Sequence, residues 1–435
     1  MMNNFIFMPI FILQPLIWFS LIKKYSRLEV NILNTTIFFI FLCQYLGLGL
    51  TVLGWLPSDK HHLSDEEIII EIFENSSAVI IFIIVGYLSG ERYLKNKINK
   101  GTKLILIDQK LEKIILSTMF AISIIFLTQY LNIIQIENVA IFNVLGIYDS
   151  ENFALLRSDM TNNFPGKYHW FKLFIHEFIM IVTISLFINF LKDKTRFKFL
   201  MFSFGFIIAT FTLTMALEKS LFIQYLIALF IAAYLIEKKQ FLRKVSILGT
   251  AVVLISGILY LFFHNLENYM VALNHTLNRV LISQWEGLYY YLKIFPSQIN
   301  FLYGASFPNP GGIFPWEPIS ISQLVALILW GKSETIGSIP TFFWGEMYAN
   351  FGTIGVFVTP FFVGLVLFFV ESVFRKFKFS AFVTSIYIWS ILHYKDLAMT
   401  GLSSFVFDFY AFMVFSLIVI ALLINMKFPQ DKNCL

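Results

Sequence analysis

The sequence predicts an all-α, polytopic membrane protein, with about eleven transmembrane helices in a single integral membrane domain over residues 1–435. Two features of composition point to this class: 58% of the residues are hydrophobic and only 14% are charged, against roughly 25% charged in soluble domains. A third is the length of the apolar runs, which reach the roughly 20 residues that a helix needs to cross the hydrocarbon core. The runs lack strand-like alternation, so helices are the spanning structure that they predict.

The predicted spans follow one another along the chain as long apolar runs. They lie near 5–22, 33–55, 69–90, 114–133, 170–191, 199–216, 221–236, 245–263, 343–370, 379–394 and 405–426. The first run has neither a basic stretch before it nor a small-residue cleavage site after it, so we predict a retained helix rather than a signal peptide.

The basic residues predict the orientation, because cytoplasmic loops of membrane proteins are enriched in Lys and Arg. With eleven spans, 23 of the 32 Lys and Arg residues form six clusters on one side, which we assign to the cytoplasm. The N-terminus is then outside the cytoplasmic (inner) membrane and the C-terminus is inside. Three connections face outward: 56–68, 134–169 and 264–342. The last, between the eighth and ninth spans, is the predicted large extracytoplasmic loop.

Nine basic residues break this trend, because they lie outside or near the outer end of a span. Arg157 lies in a polar outer loop, Arg279 stands among aromatic residues, and Lys219 lies in a hairpin with almost no loop. An Arg guanidinium binds phosphate oxygens through two hydrogen bonds. A Lys ammonium near the hydrocarbon core is energetically unfavourable unless an anion neutralises its charge. We predict phosphate contacts for all three. The structural alternatives are surface salt bridges for Arg157, interfacial contacts for Arg279 and a pair with Glu218 for Lys219.

Acid–base candidates open the fifth predicted span. His169, Lys172 and His176 have the spacing of one helix face, and Glu177 follows them. Two histidines seven residues apart lie about 10 Å apart along a helix, too far to share a metal ion. We therefore predict no metal site and no cofactor. This face either directs titratable groups into an outward cavity or consists of polar residues at the outer end of a helix without a functional role.

The stretch PTFFWGEMYANFGTIGV, residues 340–356, begins the predicted span 343–370 with polar residues. Gly345 and Gly352 belong to a stripe of small residues, which lets another helix approach closely. Glu346 and Asn350, four residues apart, form a neighbouring polar face. A carboxylate in a partly dry cleft has the raised pKa of a general base. A structural Glu paired with a nearby Lys or Arg is the alternative.

The pattern P-T-x-x-x-G-E-x-Y-x-N-F-G-x-x-G-V over this stretch resembles the motif of Wzy-type oligosaccharide repeat-unit polymerases, which build bacterial O-antigen and capsule. The segments SQWEGLYYYLKIFP and FLYGASFPNPGGI, which follow Arg279, and the Lys219 hairpin also fit. In place of the two R-x10-G loop motifs of some members, the chain has only Arg157 and Arg279, without that spacing.

The resemblance implies a glycosyltransferase that moves a growing glycan from one undecaprenyl pyrophosphate to another lipid-linked repeat unit on the outer face of the membrane. The implied partners are these oligosaccharides, membrane lipids, a chain-length regulator and a flippase, with no nucleic acid and no cofactor. The roles we assign are pyrophosphate binding for Arg157, Lys219 and Arg279, general base for Glu346 with Glu177 or His176 in reserve, and glycan binding for Trp285, Tyr289, Tyr290, Tyr348 and Asn350.

Two other functions compete with this one. An O-antigen ligase would use a similar donor with a lipid A-core acceptor, and the large outer loop fits both enzymes. A flippase or other transporter would place charged residues along the whole membrane path, whereas the unusual charges here cluster on the predicted outer side.

Overall fold

The computed structural model describes residues 4–25, 29–54, 62–63, 65–98, 104–148, 153–237, 249–251, 254–255, 257–258, 261, 268–331 and 338–427. Among these residues the secondary structure is helical, and the one β-pairing is an isolated parallel bridge between Ile105 and Phe377. The predicted all-α class is confirmed.

Eight helices of the described chain are long and apolar enough to cross a membrane. They are Ile32–Val52, Glu66–Leu94, Gln109–Ile134, Tyr168–Lys192, Arg196–Thr214, Lys219–Glu237, Thr353–Phe374 and Leu402–Asn425. The chain is therefore a polytopic membrane protein, as its composition predicts.

Three of the eleven predicted spans do not meet this standard in the described chain. The first, 5–22, corresponds to the helix Asn4–Tyr25, whose fully described apolar part is shorter than a span. The span 379–394 corresponds to Ala381–Lys395, a helix of 15 residues. The span 245–263 lies largely outside the described residues. The count of eleven stays a prediction.

Two compact units, each formed by three stretches of chain, divide the protein. The first unit is Met1–Lys103, Leu277–Arg375 and Ile391–Asp408; the second unit is Leu104–Thr276, Lys376–Ser390 and Phe409–Leu435. The single integral membrane domain and the extracytoplasmic position of 264–342 remain predictions. Residues 264–267 and 332–337 of that loop lie outside the described residues.

In the first unit, the long helix Glu66–Ile98 packs against Thr353–Phe374. Glycines allow their backbones to approach: a Cβ on Gly86 would lie 2.0 Å from the Phe361 carbonyl oxygen. Small residues are common where membrane helices cross. Lipid tails are as apolar as the helix surfaces, so helix association depends on close van der Waals packing and not on the hydrophobic effect. The other described helices wholly within this unit are Asn4–Tyr25, Ile32–Ile40, Phe41–Leu46, Gly47–Val52, Ser283–Ile294, Pro310–Gly312, Ile321–Trp330, Phe343–Phe351, Asp396–Ala398 and Leu402–Phe405.

The predicted span 343–370 is wrong as a single helix. The chain forms Phe343–Phe351 and then Thr353–Phe374, with Gly352 between them at φ 62° and ψ −149°. Residues with a Cβ are strongly disfavoured in this region of backbone space, so the glycine permits the break. The motif's polar residues therefore lie in a separate short helix that precedes the span.

In the second unit, the described parts of the predicted outward connection, 134–148 and 153–169, contain several short helices. The connection's buried apolar residues form one cluster with residues of the spans Gln109–Ile134 and Tyr168–Lys192 and of the turn after Arg196–Thr214. The cluster is Tyr130, Ile134, Val139, Ala140, Met160, Phe164, Ile175, Met215, Ala216 and Leu217. The Tyr130 hydroxyl donates to the Met160 carbonyl at 2.6 Å, which fixes the connection to the span Gln109–Ile134. Described helices wholly within the second unit are Gln109–Ile134, Ile136–Asn138, Ala140–Val144, Phe153–Met160, Tyr168–Lys172, Leu173–Phe178, Ile179–Lys192, Arg196–Thr214, Lys219–Glu237 and Phe409–Lys427.

The Lys219 hairpin of the second unit is as tight as the sequence predicts. Only the four residues 215–218 separate Arg196–Thr214 from Lys219–Glu237. Leu217 turns the chain with a φ of 56°, a conformation that is uncommon for a residue with a Cβ. Lys219 thus stands at the first position of a membrane-length helix.

Candidate functional site

The short helix Phe343–Phe351 (the Glu346 helix) carries the motif's polar residues inside the first unit. It begins after Phe342, which is extended, and ends at Gly352. Glu346 lies in its first turn, where the partial positive charge of the helix end favours an anion. Residues 343–350 are all buried, so the Glu346 helix is part of the interior rather than a surface feature.

Glu346 is attached to a second stretch of the first unit, Ile391–Asp408 (the His393 segment). The side chain is 3% exposed, and its Oε2 accepts a hydrogen bond from the Ser403 NH at 2.8 Å. Gly401 permits the approach, because a Cβ there would lie 2.3 Å from the same oxygen. Burial raises the pKa of the Glu346 carboxyl, and hydrogen bonds from Ser403 and Ser306 oppose that rise.

Asn350 ties the Glu346 helix to the turn that precedes it in the chain. Its Nδ2 donates to the Ser306 hydroxyl and to the Glu346 carbonyl, both at 2.8 Å, and its Oδ1 accepts from the Gly304 NH at 2.9 Å. Asn350 is fully buried. These contacts occupy both ends of its amide, so the side chain organises the site; its predicted contact with glycan is not tested.

A polar network inside the first unit holds the Glu346 helix at Trp344. The Trp344 Nε1 donates to Gln44 Oε1 at 3.3 Å, and the Gln44 amide donates to the Ser76 hydroxyl. Gln44 lies in the π-helix Phe41–Leu46, and π-helical turns are frequent at functional sites. Because an unpaired polar group in such an interior is costly, the network restricts where the Glu346 helix can lie.

The aromatic helix Ser283–Ile294 packs closely on the Glu346 helix. A Cβ on Gly345 would lie 2.6 Å from Leu288 Cδ1, and a Cβ on Gly287 would lie 2.0 Å from the Pro340 carbonyl oxygen. The close approach predicted for the small-residue stripe is confirmed at Gly345.

The aromatic residues predicted to bind glycan differ in exposure. Trp285 and Tyr289 are buried in the core of the first unit, and Tyr348 is 8% exposed with its ring against Phe301. Tyr290 is half-buried, and its ring stacks on His62 at 6.0 Å between centroids. Tyr290 is therefore the one member of this group that presents appreciable surface.

His62 and Glu286 extend the surface around Tyr290. The His62 Nε2 lies 3.7 Å from Glu286 Oε1, and the Tyr289 hydroxyl donates to the His62 carbonyl at 3.4 Å. Burial, with a contribution from Glu286, raises the pKa of Tyr290 to about 12. Tyr290 is therefore a neutral hydrogen-bonding group at physiological pH.

The three predicted phosphate contacts are divided between the units. Arg279 is exposed near the end of the helix Tyr269–Leu281, in the first unit. Arg157 is exposed on Phe153–Met160, in the second unit, and Lys219 there is half-buried. Within the second unit, one apolar cluster includes Met160, which follows Arg157 by three residues, and Leu217, which precedes Lys219 by two. The structure therefore brings the Arg157 helix and the Lys219 hairpin to one cluster.

The reserve bases, His176 and Glu177, lie in a second π-helix, Leu173–Phe178. The Trp389 Nε1 donates to Glu177 Oε2 at 2.6 Å. His176 is 2% exposed, and neither ring nitrogen makes a hydrogen bond to a described residue; the Thr212 backbone is near but outside hydrogen-bond geometry.

The residues of the predicted face, His169, Lys172 and His176, differ in burial. The ring of His169 packs edge-on against Phe409 at 5.1 Å, and the Lys172 Nζ lies 5.3 Å from the centre of the Tyr410 ring. His176, by contrast, is buried. The intervening π-helix widens the turn, so the spacing of an α-helix does not apply.

The charged pairs of the His393 segment were not predicted from the sequence. The His393 Nε2 lies 2.7 Å from Asp408 Oδ2, and Lys395 forms an ion pair with Asp396. Lys395 is one of the nine basic residues that break the predicted orientation trend, and no role was assigned to it. The spacing HYKD at the end of an apolar run, with Asp408 after the next turn, is the signal that could have indicated them.

Within the part of the chain that the structure describes, no group of three or more His, Cys, Asp or Glu side chains is arranged to hold a metal ion. No family model matches the sequence, and no significant match is found among curated proteins or solved structures.

Proposed function

We propose that the protein is a membrane glycosyltransferase that polymerises oligosaccharide repeat units carried on undecaprenyl pyrophosphate. The observation that carries the proposal is the placement of Glu346. It is a buried carboxylate in a short helix that precedes a span, attached to a segment with further acid–base side chains. A protein that only crosses the membrane has no need of such a group, since a carboxylate in an apolar interior is costly.

The reaction would join a sugar hydroxyl of one lipid-linked repeat unit to the anomeric carbon of the growing glycan while pyrophosphate leaves. Positive charge at the leaving group stabilises the transition state. We assign this task to Arg157, Lys219 and Arg279. Each is a cation that lies at or near the end of a helix.

The acceptor side of the reaction needs a proton acceptor and a surface for sugar. A raised pKa suits Glu346 to accept a proton at neutral pH, and its low exposure limits access to it. Tyr290, with His62 beside it, supplies an aromatic surface of the kind on which sugar rings pack.

An O-antigen ligase is the second candidate, because it would use the same donor and the same leaving group. The motif around Glu346 favours the polymerase. A flippase fits less well, since the cations that the sequence singles out stand near predicted outer helix ends rather than along the spans.

The test is to delete the gene in its host and separate the surface polysaccharide on a gel. A polymerase predicts that the ladder collapses to a single repeat unit and that the wild-type gene restores it. Loss of all surface attachment would indicate a ligase, and accumulation at the inner face would indicate a flippase. An unchanged ladder would contradict the proposal.

A further inference from the structure

We propose that His393, oriented by Asp408, is the base that removes the proton from the acceptor hydroxyl, and that Glu346 is a positioning residue for the segment that carries this pair. The inference rests on the proposed function and assigns the proton transfer within it. It assigns the role of general base to His393, which the sequence did not single out, instead of to Glu346, which the sequence favoured.

The geometry of the pair is that of a histidine held by a carboxylate. The Nε2 of His393 lies 2.7 Å from Asp408 Oδ2, an ion-pair distance. A carboxylate beside one ring nitrogen fixes the orientation of the ring and stabilises the imidazolium that forms when the other nitrogen takes a proton. In this arrangement Nδ1 is the atom that accepts the proton.

Aromatic rings restrict the His393 ring further. Phe405 packs edge-on against His393 at 5.2 Å between centroids, and Tyr394 does so at 5.3 Å. Tyr394 and Phe405 also stack on each other at 6.1 Å. A base must be held in a defined position to act efficiently, and these contacts, with Asp408, give His393 one.

Exposure separates the two candidate bases. The His393 side chain is 18% exposed and the Asp408 side chain is 7% exposed. The proposed base is therefore partly open, and the carboxylate that orients it is covered. Glu346 is 3% exposed, and one of its oxygens accepts the Ser403 NH. His393 is therefore the more open of the two groups, whereas Glu346 is enclosed.

Glu346 and the His393–Asp408 pair are connected through the backbone of the His393 segment. Ser403, which donates to Glu346, lies between His393 and Asp408 in the chain, and Gly401 lies against the same carboxylate. The Asp396 carbonyl accepts the Thr400 NH at 2.8 Å and so closes the turn that precedes Gly401. The Glu346 carboxylate thereby fixes the turn that brings Asp408 back to His393.

The ion pair between Lys395 and Asp396 neutralises the remaining charges of the turn. Lys395 is 2% exposed, and its Nζ also lies 5.3 Å from the centre of the Phe39 ring. A buried charge without a partner would be strongly destabilising. We therefore assign Lys395 and Asp396 to the structure of the turn and not to the proton transfer.

The proposed step balances as follows. The acceptor hydroxyl oxygen forms a bond to the anomeric carbon, and its proton passes to Nδ1 of His393. The bond from the anomeric carbon to the pyrophosphate oxygen breaks, and its electron pair leaves with the lipid pyrophosphate. The imidazolium of His393 then returns its proton to solvent or to the departing diphosphate.

The experiment compares His393→Gln, His393→Gly and Asp408→Asn in a strain deleted for the gene. The probe is the host's own lipid-linked repeat unit, in membrane vesicles that also supply the growing chain. We expect His393→Gln to slow elongation by roughly 10²–10⁴-fold, the usual contribution of a general base. Asp408→Asn should slow it less. Added imidazole should restore elongation in His393→Gly and not in His393→Gln, whose side chain fills the space.

The matched control is His275→Gln, since His275 is an exposed histidine of the second unit with no assigned role. It should elongate at the wild-type rate. Immunoblots of the membrane fraction establish that each variant accumulates; should His393→Gly be absent, His393→Gln and Asp408→Asn carry the test.

Two results would overturn the inference while the proposed function stands. One is elongation at the wild-type rate by His393→Gln. The other is loss of polymer in a well-accumulated His393→Gly that imidazole does not restore, which would make His393 structural. Failure of the proposed function looks different, because the wild-type chain itself would then form no polymer in the same vesicles.

Discussion

Two histidines, His393 in the first unit and His176 in the second, show how differently one residue type can be placed in this protein. His393 is partly exposed and lies 2.7 Å from Asp408. His176 is buried in a π-helix, and neither ring nitrogen makes a hydrogen bond to a described residue. A carboxylate partner and access to solvent favour proton transfer, whereas enclosure without a partner favours the neutral form. The difference teaches that proximity to an apolar helix end does not identify a base.

The acids beside the two histidines differ as well. Glu346 binds the backbone of the His393 segment, and Glu177 accepts from the Trp389 indole at 2.6 Å. Each acid therefore holds a neighbouring element in place. If the comparison is right, the proton transfer depends on His393 and not on His176.

Among the variants outside the His393–Asp408 pair, Lys219→Ala in the second unit is expected to have the largest effect on elongation. Loss of a positive charge at the leaving pyrophosphate should slow elongation by roughly 10²–10³-fold, leaving single repeat units at the cell surface. The measurement is the length distribution of surface glycan and the rate in vesicles. Lys167→Ala, which removes an exposed lysine of the same unit, is the control. An equal loss in Glu218→Gln would show that Lys219 matters only through a pair with Glu218.

The attachment of Glu346 to the His393 segment can be broken at Gly401. In Gly401→Ala the new Cβ would lie 2.3 Å from the Glu346 carboxylate. We expect the free energy of unfolding to fall by about 1–3 kcal/mol, as for other overpacked sites, and elongation to fall with it. Thermal unfolding in detergent measures the first effect, and the vesicle assay measures the second.

A double variant makes the Gly401 prediction specific. Glu346→Ala removes the group that the methyl would strike, so adding Gly401→Ala to it should cost less than adding it to wild type. Gly249→Ala is the matched control, because a Cβ there meets no described atom within 4 Å. Additive losses in the double variant would mean that the contact with Glu346 is not the cause.

The sequence alone could predict much of the fold, because apolar run length is a local property. It predicts the eight described membrane-length helices and the tight turn before Lys219. It does not predict the break at Gly352, since the run continues through that glycine and hydropathy carries no information on a positive φ. It also misses the two π-helices, whose extra residue is set by contacts with other helices.

The candidate site was predictable only in part. Glu346 and Asn350 could be found because they are polar residues within an apolar run. Their contacts with Ser403 and Gly304 could not, because these partners are distant in sequence. Trp285 and Tyr289 lie in the core, since aromatic residues serve as well for packing as for binding sugar.

A smaller effect, from Glu346→Gln, sharpens the comparison between base and positioning residue. The amide keeps an oxygen that can accept the Ser403 NH, so the segment should stay in place. We expect elongation to fall by less than about tenfold, below the roughly 10²–10⁴-fold that loss of a general base causes. Rates in vesicles, with Glu346→Ala as the variant that removes the contact, provide the measurement. A loss of 10²-fold or more in a stable Glu346→Gln would return the role of base to Glu346.

The smallest effect on activity is expected from His176→Leu. Both nitrogens of His176 are buried without a hydrogen bond to a described residue, and an unsatisfied buried polar group costs about 1–3 kcal/mol. An apolar side chain of similar size removes that cost, so the variant should unfold at a higher temperature and elongate at the wild-type rate. Glu177→Leu is the neighbouring control and should lower the unfolding temperature, because it leaves the Trp389 indole NH without its acceptor. Loss of elongation in a stabilised His176→Leu would place a functional group in the second π-helix and end the contrast between the two histidines.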